Sequence, residues 1–84
     1  MEKYNYDLLI KDVLVGREVE FTYKKNLYGI MHFSQGWIFI CNNKGISKYY
    51  KNSLELINTI KIDGKTIKEL FNNDEILNNE ISIY

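Results

Sequence analysis

Apolar positions recur with two different periods along this chain, and the changes of period mark its elements. Over 5–15, Tyr6, Leu9, Ile10, Val13 and Leu14 fall at helical spacing, with Asp7, Lys11 and Asp12 on the polar side. Asn5 is the expected N-cap and Gly16 the residue of positive φ that ends the helix. From Glu18 the period drops to two. Residues 18–23 alternate polar and apolar strictly, which predicts a half-buried strand. Polar breaks at Lys24-Lys25-Asn26, Ser34-Gln35-Gly36 and Asn42-Asn43-Lys44-Gly45 separate further strands over 27–33, 37–41 and 46–50. Links this short predict an antiparallel meander.

Helical spacing then returns. Asn52 with Glu55 predicts a cap ahead of Leu54, Ile57 and Ile60, and Thr66 with Glu69 a second cap ahead of Ile67, Leu70 and Phe71. Asp63-Gly64 ends the first of these units. The last residues, 80–84, alternate again and predict either a short edge strand or a tail. The expected architecture is α+β: an antiparallel three- to four-stranded meander sheet, with an N-terminal helix and two short C-terminal helices packed on one face. Residues 1–84 form a single domain, since chains of this length rarely divide.

Strand register converts the pattern into surfaces. Tight turns at Lys25-Asn26 and Gln35-Gly36 set Tyr23 opposite Tyr28, Phe21 opposite Ile30, and His32 opposite Phe39. One face then collects Val19, Phe21, Tyr23, Tyr28, Ile30, His32, Trp37, Phe39 and Cys41, the natural core. The other carries Glu18, Glu20 and Thr22 on the first strand, but Leu27, Met31, Phe33, Ile38, Ile40 and Tyr49 further in. A solvated sheet face is polar, and an apolar one marks an interface. Met31, Phe33, Ile38, Ile40 and Tyr49 are therefore the candidate partner-binding residues, for a second copy or a host protein. The competing expectation is that a helix or the C-terminal segment covers this face. Flanking charges, Glu18 and Glu20 on one side and Lys51 nearby in sequence, would set the orientation and on-rate of a partner.

Charge adds a second candidate surface. The net charge is zero, yet no acid occurs over 21–54 against five lysines, and no base after Lys68 against four acids. The lysines, Lys24, Lys25, Lys44, Lys48 and Lys51, are interleaved with aromatic residues, a composition suited to stacking bases and tracking phosphates. The stretch 23–51 is thus the candidate nucleic-acid-binding segment of an alternative reading. Most of its aromatics fall on the core face, however, and Arg17 is the one arginine. The two charge blocks either make the molecule dipolar or neutralise each other across the fold.

Candidate chemistry is sparse. One histidine, His32, precludes a two-histidine metal site, and one cysteine, Cys41, precludes an intrachain disulfide or a cysteine cluster for zinc. His32 and Cys41 share the predicted core face among apolar neighbours, a setting for an inert thiol rather than a nucleophile. Gly64-Lys65-Thr66 lacks the upstream glycine of a phosphate-binding loop. No catalytic residue, metal or cofactor is expected, and the chain is expected not to be an enzyme. No apolar run approaches the ~20 residues of a membrane span, and Met1-Glu2-Lys3-Tyr4 does not open like a signal peptide, so a cytoplasmic location is expected.

The run 16–23 (Gly-Arg-Glu-Val-Glu-Phe-Thr-Tyr), the Gly36-Trp37 turn, the 49–53 run (Tyr-Tyr-Lys-Asn-Ser) and the 62–70 run (Ile-Asp-Gly-Lys-Thr-Ile-Lys-Glu-Leu) resemble a group of short, uncharacterised proteins of low-GC Gram-positive bacteria and their phages. Ten lysines to one arginine, with twelve isoleucines and ten asparagines, fit an A/T-rich genome. The resemblance supplies no catalytic residues. It implies a small accessory protein of phage or mobile-element origin, in the host cytoplasm if phage-encoded. The expected function is non-enzymatic binding that occludes a host macromolecule, for example as an anti-CRISPR or other anti-defence inhibitor.

Overall fold

The computed structural model describes residues 3–84; Met1 and Glu2 lie outside the described residues. Helix α1 spans Tyr6–Leu14 and is capped as its sequence predicts. The Asn5 side chain accepts the Leu8 N–H at 2.9 Å. At the other end Gly16 (φ 92°) closes a Schellman turn, its N–H donating to the Val13 carbonyl and that of Arg17 to the Asp12 carbonyl. The strands β1 (Val19–Tyr23), β2 (Asn26–Phe33), β3 (Gly36–Cys41) and β4 (Lys44–Gly45) follow. Helix α2 (Ser53–Thr59), the hairpin strands β5 (Lys61–Ile62) and β6 (Lys65–Thr66), helix α3 (Ile67–Asn72), a 3-10 turn (Asn78–Glu80) and β7 (Ile81–Ile83) complete the chain.

The main sheet is antiparallel with order β4-β3-β2-β1-β7. The C-terminal segment is thus an edge strand beside β1, pairing Ile83 with Val19. Its five strands exceed the three or four that the meander alone predicts. The Asp63-Gly64 turn closes a separate two-stranded ribbon, β5 with β6, rather than merely ending a helix. Two residues per strand are too few to show a period, which is why the sequence pattern conceals it.

Both predicted registers are two residues off. Phe21 pairs with Tyr28 and Val19 with Ile30; on the other side His32 pairs with Trp37 and Ile30 with Phe39. Each turn sits one residue earlier than predicted. Lys24 (φ 49°) and Lys25 (φ 68°) form the first, freeing Asn26 to act as a strand residue whose side-chain Oδ1 accepts from the Asn42 side-chain amide at 3.1 Å. Gly36 (φ 128°) is needed to start β3, because a Cβ there would stand 2.4 Å from the Tyr50 carbonyl oxygen. A shift of two preserves which face each side chain occupies.

The predicted strand over 46–50 is not a continuous ladder. Ser47 interrupts it, its hydroxyl accepting the Phe39 N–H at 2.9 Å, and pairing resumes only where Trp37 and Tyr50 exchange backbone bonds of 2.8 and 2.7 Å.

All three helices lie on one face. Leu9 and Val13 of α1, Leu56 and Ile57 of α2, and Ile67, Leu70 and Phe71 of α3 pack with Val19, Phe21, Ile30 and Phe39 into one core. Phe21 centres an aromatic chain, stacked on Tyr28 at 5.8 Å and edge-on to Phe71 at 5.7 Å, while Tyr28 stacks on Phe39 at 5.5 Å. Two expected core residues depart from it. His32 is exposed, its ring lying flat on Trp37 at 4.3 Å, and Cys41 is half-buried. Both sit near strand ends, His32 next to last in β2 and Cys41 last in β3. No buried side-chain polar atom lacks a hydrogen-bond partner among the described residues.

Candidate functional site

The outer face of the sheet has no helix over it. Leu27, Gly29, Met31 and Phe33 of β2 alternate onto it, beside Ile38 and Ile40 of β3 and Gly45 of β4. Met31 stands opposite Ile38, and Ile40 opposite Gly29. The five predicted partner-binding residues therefore converge on one surface. They differ in accessibility. Phe33 is 52% and Tyr49 42% exposed, whereas Met31 and Ile38 are 9% and 8% exposed although they lie outside the main core.

Glycine explains that difference. A Cβ on Gly29 would stand 2.7 Å from the Met31 Cε and 3.0 Å from the Ile40 Cγ1, and one on Gly45 2.9 Å from the Ile38 Cδ1. Met31, Ile38 and Ile40 thus lie down over glycine gaps and shield one another, forming a low apolar floor. Phe33 and Tyr49 rise at one end, on either side of Gly36: Phe33 pairs with it, and the Tyr49 Cβ is 3.8 Å from its Cβ position. The expectation that a helix or the C-terminal segment covers this face is not met among the described residues. The helices join the opposite core, and β7 is spent on the edge of β1.

The β1 side of the face carries two acids. On the β1 side, Glu18 accepts the backbone N–H of His32 at 2.8 Å, and Glu20 accepts the hydroxyl of Tyr84 at 2.6 Å. That bond, with the Glu20 charge, raises the Tyr84 phenol above its ordinary value. The alternation over 80–84 is the sequence signal for this last strand, but nothing in it places the strand beside β1. On the β4 side no such charge flanks the face through Lys44 or Lys48: Lys44 pairs with Cys41 and so points to the helix-covered side, and Lys48 lies over the ring of the core residue Tyr50.

The candidate nucleic-acid residues do not form one surface. Lys24, Lys25 and Lys44 lie at the end of the sheet bearing the β1–β2 and β3–β4 turns, while Lys48 and Lys51 flank Tyr50, which bridges to Trp37 near the opposite end. The six residues of β3 put the ends about 20 Å apart. Lys24 is bonded to Asp63 at 2.9 Å, which raises the ammonium and lowers the carboxyl from their ordinary values. Lys48 lies over the Tyr50 ring at 5.2 Å. Tyr23, Trp37 and Tyr50 are buried in the core, so they present no stacking platform.

His32 and Cys41 are also separated. They sit on adjacent strands four positions apart in register, about 13 Å. Cys41 instead neighbours Tyr28, whose phenol is raised chiefly by burial and secondarily by Cys41. Among the described residues no three His, Cys, Asp or Glu side chains converge as metal ligands, and no helix is long and apolar enough to cross a membrane. No protein-family model, curated protein or solved structure gives a significant match to this chain.

Proposed function

We propose that this is a non-enzymatic binding protein that docks a macromolecular partner on the outer face of its sheet and acts by occupying the partner's surface. One observation carries the reading: a sheet face with an apolar floor and two raised aromatic side chains, Phe33 and Tyr49, is left open while every helix packs on the other side. Covering such a face yields ~25 cal/mol for each Å² of apolar surface removed from water. Exposed aromatics at the end of a shielded floor also match the residue types that anchor protein interfaces.

The resemblance to short phage-associated proteins directs the search toward bacterial host proteins, defence nucleases such as CRISPR effectors among them. The test is capture from a lysate of a low-GC Gram-positive host with the immobilised chain, beside Phe33→Lys and Lys25→Glu/Lys44→Glu variants. Loss of one defined protein with Phe33→Lys alone supports the reading. Capture unaffected by Phe33→Lys contradicts it. The nucleic-acid alternative predicts instead oligonucleotide binding that falls steeply with salt and is lost in the lysine variant.

A further inference from the structure

We propose that the partner of the outer face is a protein segment that carries an arginine or lysine side chain beside its apolar ones, placed to meet Glu20. This rests on the reading of that face as a docking surface and names the chemistry of its occupant. The argument is charge complementarity. Glu20 stands opposite Gly29 in the β1–β2 register, and Gly29 stands opposite Ile40 in the β2–β3 register. Gly29 has no side chain, and its neighbours lean over its position: a Cβ there would lie 2.7 Å from the Met31 Cε and 3.0 Å from the Ile40 Cγ1. The half-buried Glu20 therefore borders the apolar floor with no side chain between them.

No cation answers that charge within the molecule. Glu18 and Glu20 accept a backbone N–H and a phenol O–H, but neither forms an ion pair among the described residues. Lys51 follows the Trp37–Tyr50 bridge and lies on the far side of β3. A partner that covers Met31 and Ile40 also takes water from Glu20, and a carboxylate desolvated without a cation is costly. A wholly apolar or acidic partner is thereby disfavoured, and one with a cation at that border is selected. The cation belongs about 10 Å, two strand spacings, from the side chain that covers Ile40. Arginine suits the place best. The Tyr84 hydroxyl fixes the carboxylate through Oε1 at 2.6 Å, and the Tyr84 ring, 63% exposed, offers a face to a guanidinium.

Methyl NMR titration with three acetylated, amidated pentapeptides tests this: Leu-Arg-Leu-Arg-Leu, and its analogues with glutamine or glutamate in place of arginine. The arginine peptide should shift the Met31 and Ile40 methyl resonances and bind about fivefold more tightly than the glutamine peptide, with the glutamate peptide weakest. Glu20→Gln keeps an acceptor for the Tyr84 hydroxyl and removes the charge. It should leave affinity for the glutamine peptide unchanged and abolish most of the preference for arginine, with unchanged near-ultraviolet circular dichroism. Added salt should reduce the same preference in the wild-type protein. Equal affinity for the arginine and glutamine peptides, or a preference that survives Glu20→Gln, overturns the inference; with the floor methyls still shifting, the docking face stands with a partner of different chemistry. If no peptide shifts these methyls at millimolar concentration, the docking face falls and the inference with it.

Discussion

Lys24 and Lys25 both hold the left-handed backbone conformation, at φ 49° and 68°, that glycine and asparagine adopt at least cost. The equivalent turns at Asn42-Asn43 and Asp63-Gly64 use the favoured residues. Lys24 is tied to Asp63, but Lys25 bears no hydrogen bond or ion pair to the described residues. Lys25→Gly should therefore stabilise the fold by about 0.5–1 kcal/mol, read as a higher urea midpoint at unchanged slope; an unchanged or lower midpoint would show the turn unstrained. The capping box of α3 makes a second prediction at this scale. Glu69 accepts the Thr66 N–H at 2.8 Å, and this bond, the largest cause, holds its carboxyl below the ordinary carboxylate range. A depressed carboxyl stabilises the fold above its unfolded value of ~4.3, and that contribution is lost as pH falls through the lower folded value. Glu69→Gln should thus reduce stability at neutral pH and flatten its decline on acidification below pH ~4. Urea midpoints that fall in parallel for the variant and wild type would show that Glu69 contributes nothing to acid sensitivity.

At the scale of elements, β3 joins the two halves of the structure, because Phe39 is fully buried between the aromatic chain and the helices. Phe39→Ala should cost about 3–5 kcal/mol, a large share of the stability of a domain this small. A loss below ~1 kcal/mol in chemical denaturation would mean that the helices pack elsewhere. Much at this scale was legible in the sequence. The strict alternation over 18–23 assigned every β1 side chain to its face, and the three predicted caps at Asn5, Asn52 and Thr66 all form. Turn position was not legible, because Lys24-Lys25 carries no glycine or asparagine signal and Asn26, which does, is engaged with Asn42 instead. The break in the strand over 46–50 also escaped, since it depends on the Ser47 hydroxyl meeting a backbone amide of another strand. The candidate site was legible in its membership but not its relief: alternation named Met31 and Ile38, while only the backbone shows them lying flat over Gly29 and Gly45.

Across the whole molecule, no ion pair among the described residues joins the basic middle of the chain to its acidic end. Asp63 meets Lys24, while Lys3 bonds Asp74 and Lys65 bonds Glu75, so several C-terminal acids are neutralised where they stand. Glu20 lies on the outer face, whereas Lys44 and Lys48 belong to the helix-covered side. On the proposed function, the outer face, and not the helix-covered one, is where the molecule meets another chain. Methyl NMR tests it most directly. As a captured partner is added to the wild-type protein, the Met31, Ile38 and Ile40 methyl resonances should shift, while those of Ile30, Leu56 and Ile67 stay in place. Shifts confined to the second group, or spread equally over both, would place the contact elsewhere.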